Sequence, residues 1–214
     1  GEQAWEQEFA KYQESPEFQK VNQSISLDGF KQIFFIEWFH RLIARLAGLA
    51  YALPVFYFLF KGMIPREEFG VYVVMGLLFI GQAFMGWFMV ASGLVDRPSV
   101  SHFRLTLHLL LALALLALSL WVALGHHHGF ANREHKAGWS PLSRLATVAW
   151  GVLLVQISYG GLTAGLKAGY ISDTWPLMFG KWLPPGLVYK PIHLLTLPQT
   201  VYFVHRWFAF AALF

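Results

Sequence analysis

Long uncharged stretches dominate the pattern of hydrophobic and polar positions along this chain. Three of them contain no Asp, Glu, Lys or Arg at all: Phe69–Val95, Leu105–Gly125 and Leu145–Leu166. An α-helix needs about 20 predominantly apolar residues to cross the hydrocarbon layer of a bilayer. Each stretch therefore predicts a transmembrane helix.

Two further apolar runs contain ionisable residues. Ile33–Phe60 predicts another span, although Glu37 and His40 lie in its first half, and Gln199–Phe214 opens a fifth span that is interrupted by His205. The last run is too short to complete a crossing comfortably. The pattern predicts an all-α fold, a polytopic transmembrane helical bundle with five spans seen. Since the chain begins at Gly1 rather than Met, we interpret it as an internal fragment of a longer polytopic protein.

Composition supports a membrane protein and excludes several kinds of site. Of the 214 residues, 56% are apolar and 13% are charged, whereas a soluble domain carries about 25% charged residues. The absence of Cys excludes disulfides, Cys-ligated zinc, iron–sulfur clusters and thiol nucleophiles. The net charge of +4 is spread over long apolar runs, which favours the lipid bilayer as a partner and predicts no nucleic-acid partner.

Residues 1–29 differ from the rest of the chain. Aromatic residues alternate there with Glu, Gln and Lys, which predicts a folded interfacial segment. Lys and Arg collect in the loops Lys61–Glu68 and Gly125–Arg144, and such loops face the cytoplasm or the matrix. Residues 1–29, the loop at Asp96 and Arg97, and the loop Gly169–Pro198 are then extracytoplasmic.

Three histidines lie at matched depth in alternate predicted spans, on the order of 10 Å below the outer surface. Each has Ala four residues later and Arg within four residues; the histidines are His40, His108 and His205, and the arginines are Arg41, Arg104 and Arg206. Neutral imidazole is an axial ligand for heme iron, and guanidinium pairs with propionate carboxylates. This pattern favours heme sites over zinc, which prefers four closely spaced ligands. The alternative is that these histidines form hydrogen bonds between helices and bind no metal.

The remaining histidines carry weaker signals. His102 is either a propionate partner or a solvated loop residue. A solvated inner loop is the interpretation for the others, which are His126, His127, His128 and His135.

Glu37 lies three residues before His40 and therefore on the same face of the predicted helix. A carboxylate is unnecessary for electron transfer but suits proton abstraction or stabilisation of positive charge on a substrate. The alternative is an ion pair with Arg41 at the i, i+4 spacing. Glu37 is the candidate catalytic residue.

Two predicted spans share a Gln-x-x-x-Gly spacing, at Gln82–Gly86 and Gln156–Gly160. Small residues allow helices to approach closely in lipid, and Gln can hydrogen-bond across the interface. Helices with His thus alternate with helices of this type, as in a duplicated bundle. Two four-helix halves would need one span before residue 1 and two spans after residue 214.

The residues Glu37-Trp-Phe-His40-Arg41-Leu-Ile-Ala-Arg45 resemble the Glu-x-x-His-Arg-x-x-x-Arg signature of the heme A synthase family. Four further stretches are similar to that family and occur in the same order: Gly93–Leu109, Gly165–Gly169, Asp173–Met178 and His205-Arg206. The chain is most similar to the proteobacterial and mitochondrial branch.

The resemblance implies two four-helix halves, eight spans in all. Residues 30–125 would form the amino-terminal half, where His40 and His108 are axial ligands of a substrate heme accompanied by Arg41 and Arg104. Residues 126–144 would be the inner loop. Residues 145–214 would begin the carboxy-terminal half, where His205, with Arg206, binds a cofactor heme b. The second histidine of that pair would lie in a later span.

The activity implied by the resemblance is oxidation of the C8 methyl group of heme O to the formyl group of heme A, for cytochrome oxidase. It proceeds by successive hydroxylations with water-derived oxygen, and Glu37 matches the family's essential glutamate. The implied partners are heme O, heme O synthase and the cytochrome oxidase assembly machinery, in the bacterial or mitochondrial inner membrane. The alternatives are a b-type cytochrome that exchanges electrons with quinone, and a heme-binding transporter or chaperone.

Overall fold

The computed structural model describes residues 1–93, 99–128, 139–184, 186–187 and 189–213. Among these residues the regular elements are helical, and the predicted all-α fold is confirmed. The α-helices are α1 Glu2–Gln13, α2 Pro16–Lys20, α3 Leu27–Phe60, α4 Arg66–Gly93, α5 His102–His128, α6 Pro141–Gly165, α7 His193–Thr196 and α8 Pro198–Leu213. A short 3₁₀ helix, Ala168–Tyr170, follows α6.

Four helices, α3 to α6, are long and apolar enough to cross a membrane. They confirm four of the predicted spans. The fifth apolar run forms α8, whose 16 residues are fewer than the roughly 20 that a crossing requires. The predicted loop at Asp96 and Arg97 lies outside the described residues, as does His135.

The first long helix, α3, begins at Leu27, six residues before the apolar run that predicts it. The hydroxyl oxygen of Ser26 accepts a hydrogen bond of 3.2 Å from the backbone N–H of Gly29, and Asp28 lies in the first turn. Side-chain caps and acidic residues both stabilise a helix N-terminus. The 34 residues of α3 therefore reach about 51 Å at 1.5 Å per residue, which is longer than the hydrocarbon layer.

Residues 1–26 fold onto the start of α3 through aromatic side chains. Phe30 is buried, and its ring lies 5.0 Å from that of Tyr12, 5.3 Å from that of Phe9 and 6.5 Å from that of Trp5 between centroids. Burial of such rings contributes more stability than most other contacts of a short helix. The segment is folded, and α3 begins at Leu27, within the predicted segment 1–29, whose interfacial and extracytoplasmic placement stays a prediction.

The chain divides into two compact units. The first comprises residues 1–100 and 114–118, and the second comprises residues 101–113 and 119–214. In the first unit, α3 and α4 meet where the hydroxyl of Tyr51 donates a hydrogen bond to the backbone carbonyl of Tyr72. The ring of Tyr51 also stacks on that of Phe79 at 4.8 Å. The predicted division into half-bundles stays a prediction.

Within the second unit, α5 and α6 approach each other at two glycines. A Cβ atom at Gly165 would lie 2.5 Å from the Cα atom of His102, and one at Gly161 would lie 2.8 Å from Oγ1 of Thr106. Only Gly fits where two helix backbones come this close. These contacts confirm that the glycines of α6 serve helix packing.

Candidate functional site

His205 of α8 faces α6, and two residues of α6 hold its imidazole ring. The side-chain amide nitrogen Nε2 of Gln156 lies 3.2 Å from Nδ1 of His205 and donates to the backbone carbonyl of His205 at 3.2 Å. One turn further along α6, a Cβ atom at Gly160 would lie 3.2 Å from Cε1 of His205 and 3.8 Å from its Nε2. The ring thus packs on the bare backbone of Gly160.

The two ring nitrogens of His205 therefore differ in their surroundings. Nδ1 faces the side-chain amide of Gln156 at 3.2 Å, whereas Nε2 lies beside Gly160, 3.8 Å from the position of a Cβ atom there. In a metal-ligating histidine, one nitrogen also contacts a protein group that orients the ring, but that nitrogen is the donor. Here the amide nitrogen of Gln156 is the donor and Nδ1 accepts. His205 is half-buried, in surroundings that suit a neutral imidazole.

Arg206, the next residue of α8, contacts the loop that follows α6. Nη1 donates to the backbone carbonyls of Thr174 and Leu177 at 3.3 and 3.4 Å, and Nη2 donates to that of Pro176 at 3.3 Å. The guanidinium also lies 5.1 Å from the centre of the Tyr202 ring, within the range of a cation–π interaction. Arg206 holds this loop against α8, and its predicted contact with a propionate stays a prediction.

His102 is the first residue of α5 and lies half-buried beside Gly165 of α6. Its Nε2 atom is buried and has no hydrogen-bond partner among the described residues. Its backbone carbonyl accepts a hydrogen bond of 2.8 Å from the hydroxyl of Thr106. His102 is thus part of the helix contact, and not a solvated loop residue.

The candidate residues of the first unit lie on one face of α3. Oε1 of Glu37 and Nη2 of Arg41 form an ion pair of 3.0 Å, with about half of each side chain exposed. His40 is also exposed. The i, i+4 ion pair that was the structural alternative for Glu37 is therefore present, and it fixes the direction of the carboxylate.

The other candidate ligands lie on α5. Arg104 and His108 are half-buried and one helical turn apart, so they share a face of the helix. They belong to the second unit, whereas His40 belongs to the first, and their joint ligation of one heme stays a prediction. His126 and His127 lie in the last turn of α5, where they are exposed.

Sequence reasoning missed the partners of His205 and Arg206. Gln156 and Gly160 stood out as a Gln-x-x-x-Gly spacing, but the spacing indicates a helix interface without naming the residue on the other side. The loop carbonyls that bind Arg206 are backbone atoms, so no side-chain pattern marks them.

The whole chain, residues 1–214, matches the profile of the family described as cytochrome oxidase assembly protein, COX15-CtaA. The chain belongs to this family. Members with a curated name include the heme A synthase of Flavobacterium psychrophilum, which is 44% identical over 179 residues, covering 83% of this chain and 52% of the relative. The heme A synthase of Chelativorans sp. is 41% identical over 218 residues, covering 100% of this chain and 59% of the relative.

A third COX15-CtaA member, the heme A synthase of Flavobacterium johnsoniae, is 41% identical over 214 residues, covering 97% of this chain and 62% of the relative. The chain thus spans between 52% and 62% of the length of these relatives. No solved structure matches the chain significantly.

Proposed function

We propose that the chain is part of a heme A synthase, which oxidises the C8 methyl group of heme O to the formyl group of heme A. Membership of the COX15-CtaA family and the names of the relatives support this assignment. The observation that carries it is the placement of His205, whose imidazole ring is held by Gln156 and Gly160 of α6.

His205 would hold a cofactor heme b through its imidazole. Imidazole is the usual protein ligand of heme iron, and Gln156 beside Nδ1 orients the ring. The bare backbone of Gly160 leaves room for the imidazole ring itself. When bound, heme b supplies one-electron transfer towards an external acceptor.

Heme O is the substrate, and His40 and His108 are the proposed axial ligands of its iron. Arg104 lies one turn from His108 on α5 and pairs with a propionate. Each hydroxylation takes its oxygen from water and releases two electrons and two protons. The second one yields a hydrated aldehyde, which loses water to give the formyl group.

Glu37 is the proposed catalytic residue. Its ion pair with Arg41 at 3.0 Å orients the carboxylate before substrate arrives, and preorganised charge stabilises developing positive charge most effectively. The carboxylate accepts a proton from the attacking water or stabilises the cation at the methyl carbon. Removal of its charge therefore affects the oxidation more than the binding of substrate.

We place the protein in the bacterial or mitochondrial inner membrane, as a multi-pass protein in contact with lipid. Heme O synthase is the proposed source of substrate, and the cytochrome oxidase assembly machinery is the proposed recipient of heme A. The four helices that are long and apolar enough to cross a membrane support the membrane location.

The test is conversion of heme O by the purified full-length protein in water enriched in ¹⁸O, followed by chromatography and mass spectrometry of the extracted hemes. We expect a hydroxymethyl heme that carries ¹⁸O and then heme A. Unchanged heme O beside a heme b that is reversibly reduced would instead indicate a b-type cytochrome. Binding of heme O without redox chemistry would indicate a transporter or chaperone.

A further inference from the structure

Gln156 contributes a polar amide to a predominantly apolar helix, α6. Among the described residues, its side-chain hydrogen bonds go to His205, since Nε2 contacts Nδ1 and the backbone carbonyl of His205 at 3.2 Å each. Its other polar atom, Oε1, is buried without a hydrogen-bond partner among the described residues. Burial of an unpaired carbonyl oxygen is unfavourable, and this orientation of the amide leaves Oε1 unsatisfied.

With the amide nitrogen of Gln156 beside Nδ1, the contact favours one tautomer of His205. An amide N–H that donates to Nδ1 requires a lone pair there, so the neutral ring carries its proton on Nε2. Coordination of a metal through Nε2 requires the opposite tautomer, with the proton on Nδ1 and an acceptor beside it.

The unsatisfied oxygen of Gln156 is the acceptor that this tautomer needs. Rotation of the Gln156 amide group about its last side-chain bond places Oε1, instead of Nε2, beside Nδ1 of His205. This rotation requires no movement of α6 or α8. The backbone carbonyl of His205 accepts a hydrogen bond from Nε2 of Gln156 and so favours the present orientation of the amide. The orientation with Oε1 beside Nδ1 becomes favourable only when Nδ1 carries a proton.

We propose that Gln156 is the positioning residue of His205, and that its amide turns to accept the Nδ1 proton when heme b binds at Nε2. The inference rests on the proposed function, since it takes heme b as the ligand of His205. A hydrogen bond from Nδ1 raises the electron density of the imidazole and stabilises the ferric state. Gln156 thereby sets the reduction potential of this heme, and Gly160 holds the face of the ring.

The test compares three variants of the full-length protein, purified with bound heme b, by redox titration and by heme content. Gln156→Leu removes the acceptor, and we expect a higher midpoint potential and about tenfold or more weaker retention of heme b. Gln156→Glu supplies a stronger acceptor, and we expect a lower midpoint potential with heme b retained. Ser158→Ala is the matched control on α6, because the hydroxyl of Ser158 donates to the carbonyl of Leu154 within its own helix.

Opposite shifts in the two Gln156 variants, with no shift in the control, support the proposal. Loss of heme b from Gln156→Leu alone also supports it, provided that Gln156→Glu lowers the potential. The proposal would be overturned if the midpoint potentials of Gln156→Leu and Gln156→Glu equalled that of the wild type or shifted in the same direction. Loss of heme b from both variants would also overturn it.

A fourth variant separates this inference from the proposed function. If His205→Ala loses heme b while the Gln156 variants behave as wild type, only the role of Gln156 is wrong. If His205→Ala retains heme b, the assignment of His205 as its ligand fails, and the role of Gln156 fails with it.

Discussion

The guanidinium of Arg206 binds the backbone carbonyl of Pro176 through Nη2 at 3.3 Å. Its other terminal nitrogen reaches the carbonyls of Thr174 and Leu177, so one side chain of α8 gathers three carbonyls of a loop about 30 residues away. The rigid, planar guanidinium suits this task, because its donors point in several fixed directions. An ammonium group has the charge but not this geometry.

We therefore expect Arg206→Lys to loosen the loop although it keeps the positive charge. Each hydrogen bond to a charged group contributes about 1.5–3 kcal/mol, and 1.4 kcal/mol corresponds to about a factor of ten. The amides of Met178, Phe179 and Gly180, which are hydrogen-bonded within the loop, should exchange with deuterium at least tenfold faster. The exposed Arg144 offers the control Arg144→Lys. Unchanged exchange in Arg206→Lys would mean that Arg206 does not hold the loop.

The close contact between α5 and α6 predicts a sharp difference between glycines of one helix. Gly165→Ala places a methyl group 2.5 Å from the Cα atom of His102, where backbone must move, and overpacking costs about 1–3 kcal/mol. Gly151→Ala meets nothing within 4 Å and gains up to about 1 kcal/mol of helix propensity. Thermal unfolding in detergent should show a lower midpoint for the first variant and an equal or higher midpoint for the second. Equal midpoints for both would contradict the close packing.

The aromatic cluster around Phe30 predicts how α1 and α2 are attached. Phe30 is 6% exposed and Phe35 is 58% exposed, although both belong to α3. Loss of a buried Phe costs about 3–5 kcal/mol, so Phe30→Ala should release the amino-terminal helices. Trypsin should then cleave at Lys11 and Lys20 at least tenfold faster than in wild type, whereas Phe35→Ala should change little. The same cleavage rate in the two variants would argue against this attachment.

The membrane spans could be predicted from sequence because bilayer thickness fixes the length of an apolar run. The start of α3 could not, since Ser26, Asp28 and the aromatic cluster continue the helix beyond the hydrocarbon layer. Local capping and tertiary packing decide where α3 begins. Neither of them produces a regular spacing of apolar residues in the sequence.

The candidate site was predictable where a side chain carries the chemistry by itself. His205 stands out as an ionisable residue in an apolar run, and the spacing of Gln156 and Gly160 indicates an interface. The pairing of Gln156 with His205 depends on how α6 packs against α8, which one sequence does not specify. The contacts of Arg206 depend on the path of a loop backbone, which leaves no mark on residue type.

Charge asymmetry predicts the orientation in the membrane. Since the chain contains no Cys, a single introduced thiol reports on one position. Glu67→Cys in the inner loop should resist an impermeant thiol reagent added from the outer side, whereas Ser24→Cys in the amino-terminal segment should react. Both positions are exposed, so burial does not protect either thiol. The reverse labelling pattern would invert the proposed topology.

The most direct measurement of the central claim is the heme content of the full-length Glu37→Gln variant, extracted from membranes that also contain heme O synthase. Gln keeps the size and hydrogen bonding of Glu37 but removes the charge that Arg41 orients at 3.0 Å. We predict that the wild type accumulates heme A, whereas Glu37→Gln retains bound heme O and forms heme A about 10²-fold more slowly or not at all. Formation of heme A at the wild-type rate by Glu37→Gln would contradict the account and leave Glu37 as a structural partner of Arg41.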